Sequence, residues 1–67
     1  MHVAGLFLTI VLADVPMVQH IADFHGLRPR LAMQACVEGR RQLTRETARA
    51  GLDPRPRLYC VARGRYH

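Results

Sequence analysis

An uncharged run near the start of the chain, residues 3–13, limits the possible folds more than any other feature of the sequence. Its single polar side chain is the hydroxyl of Thr9. A transmembrane helix needs about 20 apolar residues, so the run is too short to span a membrane. Periodicity alone does not separate a short buried strand from a short helix. The β-branched and aromatic residues of the run favour a strand, which we predict.

As a strand, this run would be apolar on both faces, because alternate side chains point to opposite sides of a sheet. One face holds Ala4, Leu6, Leu8, Ile10 and Leu12, and the other holds Val3, Gly5, Phe7, Thr9 and Val11. A sheet covered by a single helix normally keeps its second face polar. We therefore expect the second face to be covered by another molecule, and we predict a homodimer.

The same run also has features of an export signal. Its length suits the apolar core of a signal peptide, and Val11 and Ala13 place small residues where signal peptidase requires them, just before Asp14. No Lys or Arg precedes the run, which argues against export. The alternative that stays open is a periplasmic or secreted, disulfide-stapled mini-domain formed after removal of residues 1–13.

Residues 14–27 fit two structures. In one, Asp14 caps a short helix that ends at Gly26. In the other, Asp14, Val15 and Pro16 form a tight turn, and the chain returns as an antiparallel strand. We prefer the strand, because so apolar a first strand needs a neighbour at its edge.

Residues 29–50 are predicted to form one long helix, with Pro29 in its first turn and Gly51 just beyond its end. Small and apolar residues recur at spacings of three and four and share one helical face; they are Ala32, Cys36, Gly39, Leu43, Thr47 and Ala50. Gly costs about 1 kcal/mol relative to Ala inside a helix, so Gly39 on this face indicates a close approach to the sheet.

The last stretch alternates between two kinds of side chain, as a strand does. Leu58, Cys60 and Ala62 lie on one face, and the other face carries Tyr59, Val61, Arg63 and Arg65. The sequence therefore predicts one α+β domain spanning residues 1–67. Its fold is a small antiparallel sheet in the order β-β-α-β, with one long helix packed on one face.

The two cysteines are predicted to meet. Cys36 lies on the inward face of the helix and Cys60 on the apolar face of the last strand, by two independent periodicities. A disulfide closing this loop contributes roughly 3 kcal/mol, a useful amount for so small a domain. The alternative is two buried free thiols in a cytosolic protein. We prefer the disulfide.

The cationic charge is segregated along the chain and consists of Arg alone. Ten Arg, opposed by three acidic residues, give +7 after residue 27, whereas the first 27 residues carry −2. The planar guanidinium fork suits carboxylates and phosphates. The predicted binding face consists of Arg40, Arg41, Arg45 and Arg49 on the helix and of Arg57, Tyr59, Arg63 and Arg65 on the last strand.

Two explanations of this basic face remain open. It can bind nucleic acid or an acidic protein, and the strand set interleaves Arg with Tyr59, which suits contacts to phosphates and stacking on a base. Alternatively, a GC-rich genome prefers Arg codons, and the charges only solvate one face.

Signatures of chemistry are missing from the sequence. It has no Ser, no Cys-x-x-Cys and no Gly-rich phosphate loop, so we predict no enzymatic activity and no cofactor. His20, Asp23 and His25 are the one cluster that resembles metal ligands. On a strand, His20 and Asp23 are expected to face opposite ways, and we predict no metal site.

An apolar first strand, a helix carrying one Cys, and a last strand that reads Cys60-Val61-Ala62-Arg63 make up the whole chain. This arrangement resembles that of very small proteins encoded by bacteriophages and prophages of GC-rich bacteria. The resemblance implies an accessory protein of the host cytoplasm that binds and blocks a host factor, as anti-CRISPR proteins do, and it assigns no residue a role. We thus expect inhibition of a host protein or ribonucleoprotein by surface occlusion, with nucleic-acid binding as the alternative.

Overall fold

The computed structural model of the protein describes residues 1–52 and 55–65 and contains three strands and one helix. The elements are β1 (His2–Leu12), β2 (Val15–Gly26), α1 (Pro29–Ala50) and β3 (Arg57–Arg65). The strands form one antiparallel sheet in the order β2-β1-β3. The predicted α+β fold and its β-β-α-β order are confirmed, and the residues after Asp14 adopt the strand alternative.

The apolar first run is the central strand of this sheet, and it pairs with both other strands. Its side towards α1 forms the core with the helix, where Ala4, Leu6, Ala32 and Cys36 are buried together. An export route that removes residues 1–13 would delete this strand and leave β2 and β3 without a partner. The fold described here therefore requires the run.

The hairpin between β1 and β2 turns one residue earlier than predicted. Ala13 and Asp14 form the turn with positive φ angles of 49° and 64°, a conformation that matches the twist of a two-residue hairpin. Val15 and Pro16 already belong to β2, and Pro16 lies opposite Val11. Proline is accepted there because β2 is an outer strand, where a missing N–H need not break the sheet.

Helix α1 has the ends that its sequence predicts. Pro29 follows an extended Arg28, and Gly51 adopts a left-handed conformation in which its N–H donates to the Ala48 carbonyl at 3.2 Å. In the middle of the helix, a Cβ on Gly39 would lie 2.6 Å from Cζ of Phe24 on β2. The predicted close approach of α1 to the sheet at Gly39 is confirmed.

A disulfide between Cys36 and Cys60 ties α1 to β3, with the two Cα atoms 6.1 Å apart. The predicted pairing is thus present in the structure. Cys36 is fully buried, and the bond lies beside Leu6 of the central strand, the residue paired with Cys60. The disulfide therefore crosses the core at its centre.

The sheet is longer than the part that α1 and β3 support. Pairing between β1 and β3 ends at Thr9, whereas the hairpin of β1 and β2 continues to its turn. We call residues 10–18 the hairpin arm. Five of its apolar side chains are between 47% and 63% exposed, namely Val11, Leu12, Val15, Met17 and Val18.

Candidate interaction surfaces

The first candidate surface is a groove between α1 and the start of β3, which we call the basic groove. It has a volume of about 510 Å³, which is within the range of ligand-binding clefts. Among the described residues, those that line it are Arg40, Arg41, Thr44, Arg45, Pro56, Arg57 and Leu58. Every charged residue in this lining is Arg. Buried Pro56 and half-buried Leu58 supply apolar surface beside the cations.

Arg41 and Arg45 are four positions apart and are therefore neighbours on one side of α1, and Arg40 lines the same groove. Arg41 donates to Glu38 at 3.0 Å, one turn earlier on α1. In the described part of the chain, Arg40 and Arg45 form no ion pair with an acidic residue. Their guanidinium donors therefore have no carboxylate of the described chain to neutralise them.

The structure divides the predicted binding face between two places. Arg40, Arg41, Arg45 and Arg57 come together at the groove. Arg49 lies in the last turn of α1 outside it, and Tyr59 and Arg63 lie on the opposite side of the sheet. The side chain of Arg65 is outside the described part of the structure. One continuous basic face thus becomes a helix-side groove and a separate set of residues.

The second candidate surface is the side of the sheet that faces away from α1, which we call the open face. Three rings, one from each strand, stand in a row across it. The ring centroid of Phe7 lies 5.2 Å from that of His20 and 5.7 Å from that of Tyr59. The planes of Phe7 and Tyr59 are within 17° of parallel, which is a stacked arrangement.

A polar cluster adjoins these rings. The Nε2 atom of His20 lies 2.8 Å from Oδ1 of Asp23, and Nη1 of Arg63 donates to the same oxygen at 3.3 Å. The hydrogen bond with His20 is the main reason that the pKa of Asp23 is below its usual value, and Arg63 lowers it further. Asp23 is therefore held in its carboxylate form.

The expectation that His20 and Asp23 face opposite ways on a strand is wrong, because β2 contains a bulge. Leu6 pairs with Ala22 and Phe7 pairs with His20, which leaves Ile21 as an extra residue. Because of this extra residue, the side chains of His20 and Asp23 lie on the same face of the sheet. Among the described residues, no three His, Cys, Asp or Glu side chains are grouped so as to hold a metal ion.

The predicted binding face includes Tyr59 and Arg63 but not their partners on this surface. In the sequence, Phe7 stands out only as part of an apolar strand face, and His20 and Asp23 only as part of a cluster that resembles metal ligands. The available signal was the Gly5 to Phe7 spacing, because alternation places both residues on one face of β1. Nothing in the sequence indicated which residues of β2 lie opposite them.

Comparison of the chain with protein-family models, with curated proteins and with solved structures finds no match. No helix in residues 1–52 and 55–65 is both long enough and apolar enough to cross a membrane. The two surfaces themselves are therefore the features that point to a function.

Proposed function

We propose that the protein is a non-enzymatic binding protein that attaches to an acidic surface of another protein through the basic groove and blocks that surface by occupying it. The observation that carries the proposal is the lining of the groove, where all charged residues are Arg and apolar side chains lie beside them. The resemblance to phage accessory proteins supports a host protein as the partner.

The groove offers both parts of a protein contact. Arg forms paired hydrogen bonds with a carboxylate, and these bonds strengthen when water is excluded around them. The buried ring of Pro56 and the half-buried Leu58 provide an apolar surface that can exclude water beside the guanidinium groups. The expected occupant is an acidic segment that also carries an apolar side chain.

The rest of the surface favours protein over nucleic acid as the partner. Protein interfaces are enriched in Arg and depleted in Lys, and every cation in the lining of the groove is Arg. Large apolar side chains are also exposed outside the groove, including Leu27 at 79% and Leu52 at 50%. Binding to a phosphate backbone requires cations and makes no use of such residues.

A pull-down from a bacterial host, read by mass spectrometry, tests the proposal with a matched pair of variants. Arg41→Gln with Arg45→Gln removes two groove cations and keeps good helix formers. Arg28→Gln with Arg30→Gln makes the same change in net charge at the far end of α1. We expect the first pair to lose the partner and the second to retain it. Equal loss in both pairs would show that net charge, rather than the groove, recruits the partner.

The open face favours a second candidate function, binding of single-stranded nucleic acid. The stacked pair of Phe7 and Tyr59 adjoins Arg63, whose side chain lies with that of Phe7 over Gly5. Rings beside cations suit bases and phosphates, respectively. A gel shift that weakens steeply with salt and with Tyr59→Ala would support this function. The absence of any shift, or a shift that salt does not change, would eliminate it.

A further inference from the structure

We infer that the protein forms a homodimer through its hairpin arm, with the arm of each copy covering the arm of the other. Of the residues that line the basic groove, this interface uses Arg57 alone, so the inference does not depend on the proposed function. Three features of the arm carry it, namely its bare apolar surface, its lack of support within the chain, and its charge.

The arm is apolar on both sides. On the side towards α1, a hollow of about 360 Å³ lies beyond the end of the core and is lined by Leu8, Ile10, Leu12, Met17, Val18 and Gln19. The buried apolar residues of the described sheet, Val3, Ala4 and Leu6, all lie at the opposite end of β1. The helix therefore leaves this half of the hairpin uncovered.

Contacts within the chain give the arm little support. Past Thr9 the sheet has two strands only, and a two-stranded ribbon is at best marginally stable in water by itself. Its turn also places two residues other than glycine, Ala13 and Asp14, at positive φ. Such conformations persist when surrounding contacts impose them. Contact with another molecule supplies the burial that the arm lacks.

The distribution of charge makes a second copy of the chain a suitable partner for the arm. The protein has a net charge of +5, so two copies repel each other over their basic surfaces. From residue 3 to residue 22 there is no Arg or Lys, and the one charged residue is Asp14 at the tip of the arm. The arm is thus the apolar surface on which two copies can meet without opposing cations.

The tip of the arm adds a complementary charge. Two arms stacked about a twofold axis run in opposite directions, so the tip of one arm lies at the base of the other. Asp14 of one copy is then level with Thr9 of the second copy, and Arg57 is paired with Thr9 in the sheet. The acidic tip of each arm thus lies near the cationic Arg57 at the root of the other arm, and this pairing occurs twice in the dimer. Pro16 at the outer edge of β2 disfavours the alternative of joining the two sheets edge to edge.

Sedimentation velocity over a dilution series tests the inference directly. At high concentration, the wild-type protein is expected to sediment as a species of twice the monomer mass of 7.6 kDa. On dilution, it is expected to dissociate into monomers. Met17→Asp places a charge on the hollow side of the arm, and we expect it to raise the dissociation constant by about tenfold or more. Leu27→Asp is the matched control, since Leu27 is exposed outside the arm, and it is expected to leave the dimer intact.

Two further variants define the arrangement. Asp14→Arg reverses the charge at the tip and is expected to weaken the dimer, and this effect is expected to shrink at high salt. Val11→Asp alters the opposite face of the arm, because Val11 does not line the hollow, and it is expected to weaken the dimer less than Met17→Asp does. Circular dichroism of each variant checks that the fold is retained, which we expect because Met17 and Val11 are both more than half exposed. A wild-type protein that stays monomeric at every concentration would overturn the inference, and so would dissociation by Val11→Asp but not by Met17→Asp.

Discussion

Arg63 on β3 reaches across the central strand to Asp23 on β2, and its Nη1 atom donates to Oδ1 of Asp23 at 3.3 Å. The side chain passes over Gly5, where an added Cβ would lie 2.8 Å from Cδ of Arg63. The hydrogen bond between the two outer strands thus depends on the missing side chain of the central one. The sequence places glycine where Arg63 must cross.

The crossing predicts that Gly5→Ala destabilises the protein, although alanine is normally the better residue within a strand. The new methyl group would lie within 3 Å of both Arg63 and Cε2 of Phe7, and we expect a loss of roughly 1–3 kcal/mol in urea unfolding. The same substitution in an Arg63→Ala background is expected to cost less. Equal losses in the two backgrounds would show that Arg63 is not the obstacle.

Asp23 is expected to make stability depend on pH. Its pKa in the folded protein is lowered below 3.8, mainly by its hydrogen bond with His20, so its contribution is complete above the unfolded value. The contribution is lost as pH falls through the folded value. Thermal unfolding of wild type and Asp23→Asn from about pH 6 to about pH 3 should therefore show stabilities that converge in acid. Parallel curves would contradict this role.

Reduction of the disulfide between Cys36 and Cys60 is expected to lower stability by roughly 3 kcal/mol, as estimated for a loop of this length. Urea unfolding with and without dithiothreitol measures the loss. The double variant Cys36→Ala with Cys60→Ala serves as the control, because reductant should no longer affect it. A wild-type protein that is insensitive to reductant would contradict the structural role of the bond.

Gly39→Ala is expected to destabilise the protein by roughly 1 kcal/mol, even though helix propensity alone favours alanine by about that amount. The methyl group would lie 2.6 Å from Cζ of Phe24, so the helix or the ring must move. Phe24→Leu in the same chain provides the control, since a smaller side chain leaves room for the methyl group. Stabilisation by Gly39→Ala alone would show that the ring yields without cost.

The parts of the fold that the sequence predicted are those set by local chemistry. Pro29 and Gly51 fixed the ends of α1, and alternation fixed the faces of β3 from Leu58 to Ala62. The cysteine pairing followed from combining these two periodicities. Each of these predictions uses the pattern within single elements. In a long periodic helix or strand, the spacing of the apolar residues alone shows which face is buried.

The parts that were missed depend on how two strands align. The bulge at Ile21 reverses the side on which His20 lies, and no turn or proline marks it in the sequence. A second irregularity interrupts β3, because Val3 pairs with Gly64 and Ala4 with Ala62, which leaves Arg63 as the extra residue. The row of rings and the crossing of Gly5 depend on both alignments. Register between strands is a property of the assembled sheet, so one strand read alone could not supply it.

The strand order β2-β1-β3 also determines the order in which the strands can pair during synthesis of the chain. The ribosome makes the central strand first, and its hairpin with β2 closes over a two-residue turn as soon as β2 has emerged. The other edge of β1 then stays unpaired until residues 57–65 are made, because only β3 completes it. Cys60 is part of that last strand, so the disulfide cannot form before the middle of β3 has been made. Until then the nascent chain exposes its most apolar edge, and that interval is when it is most prone to aggregate.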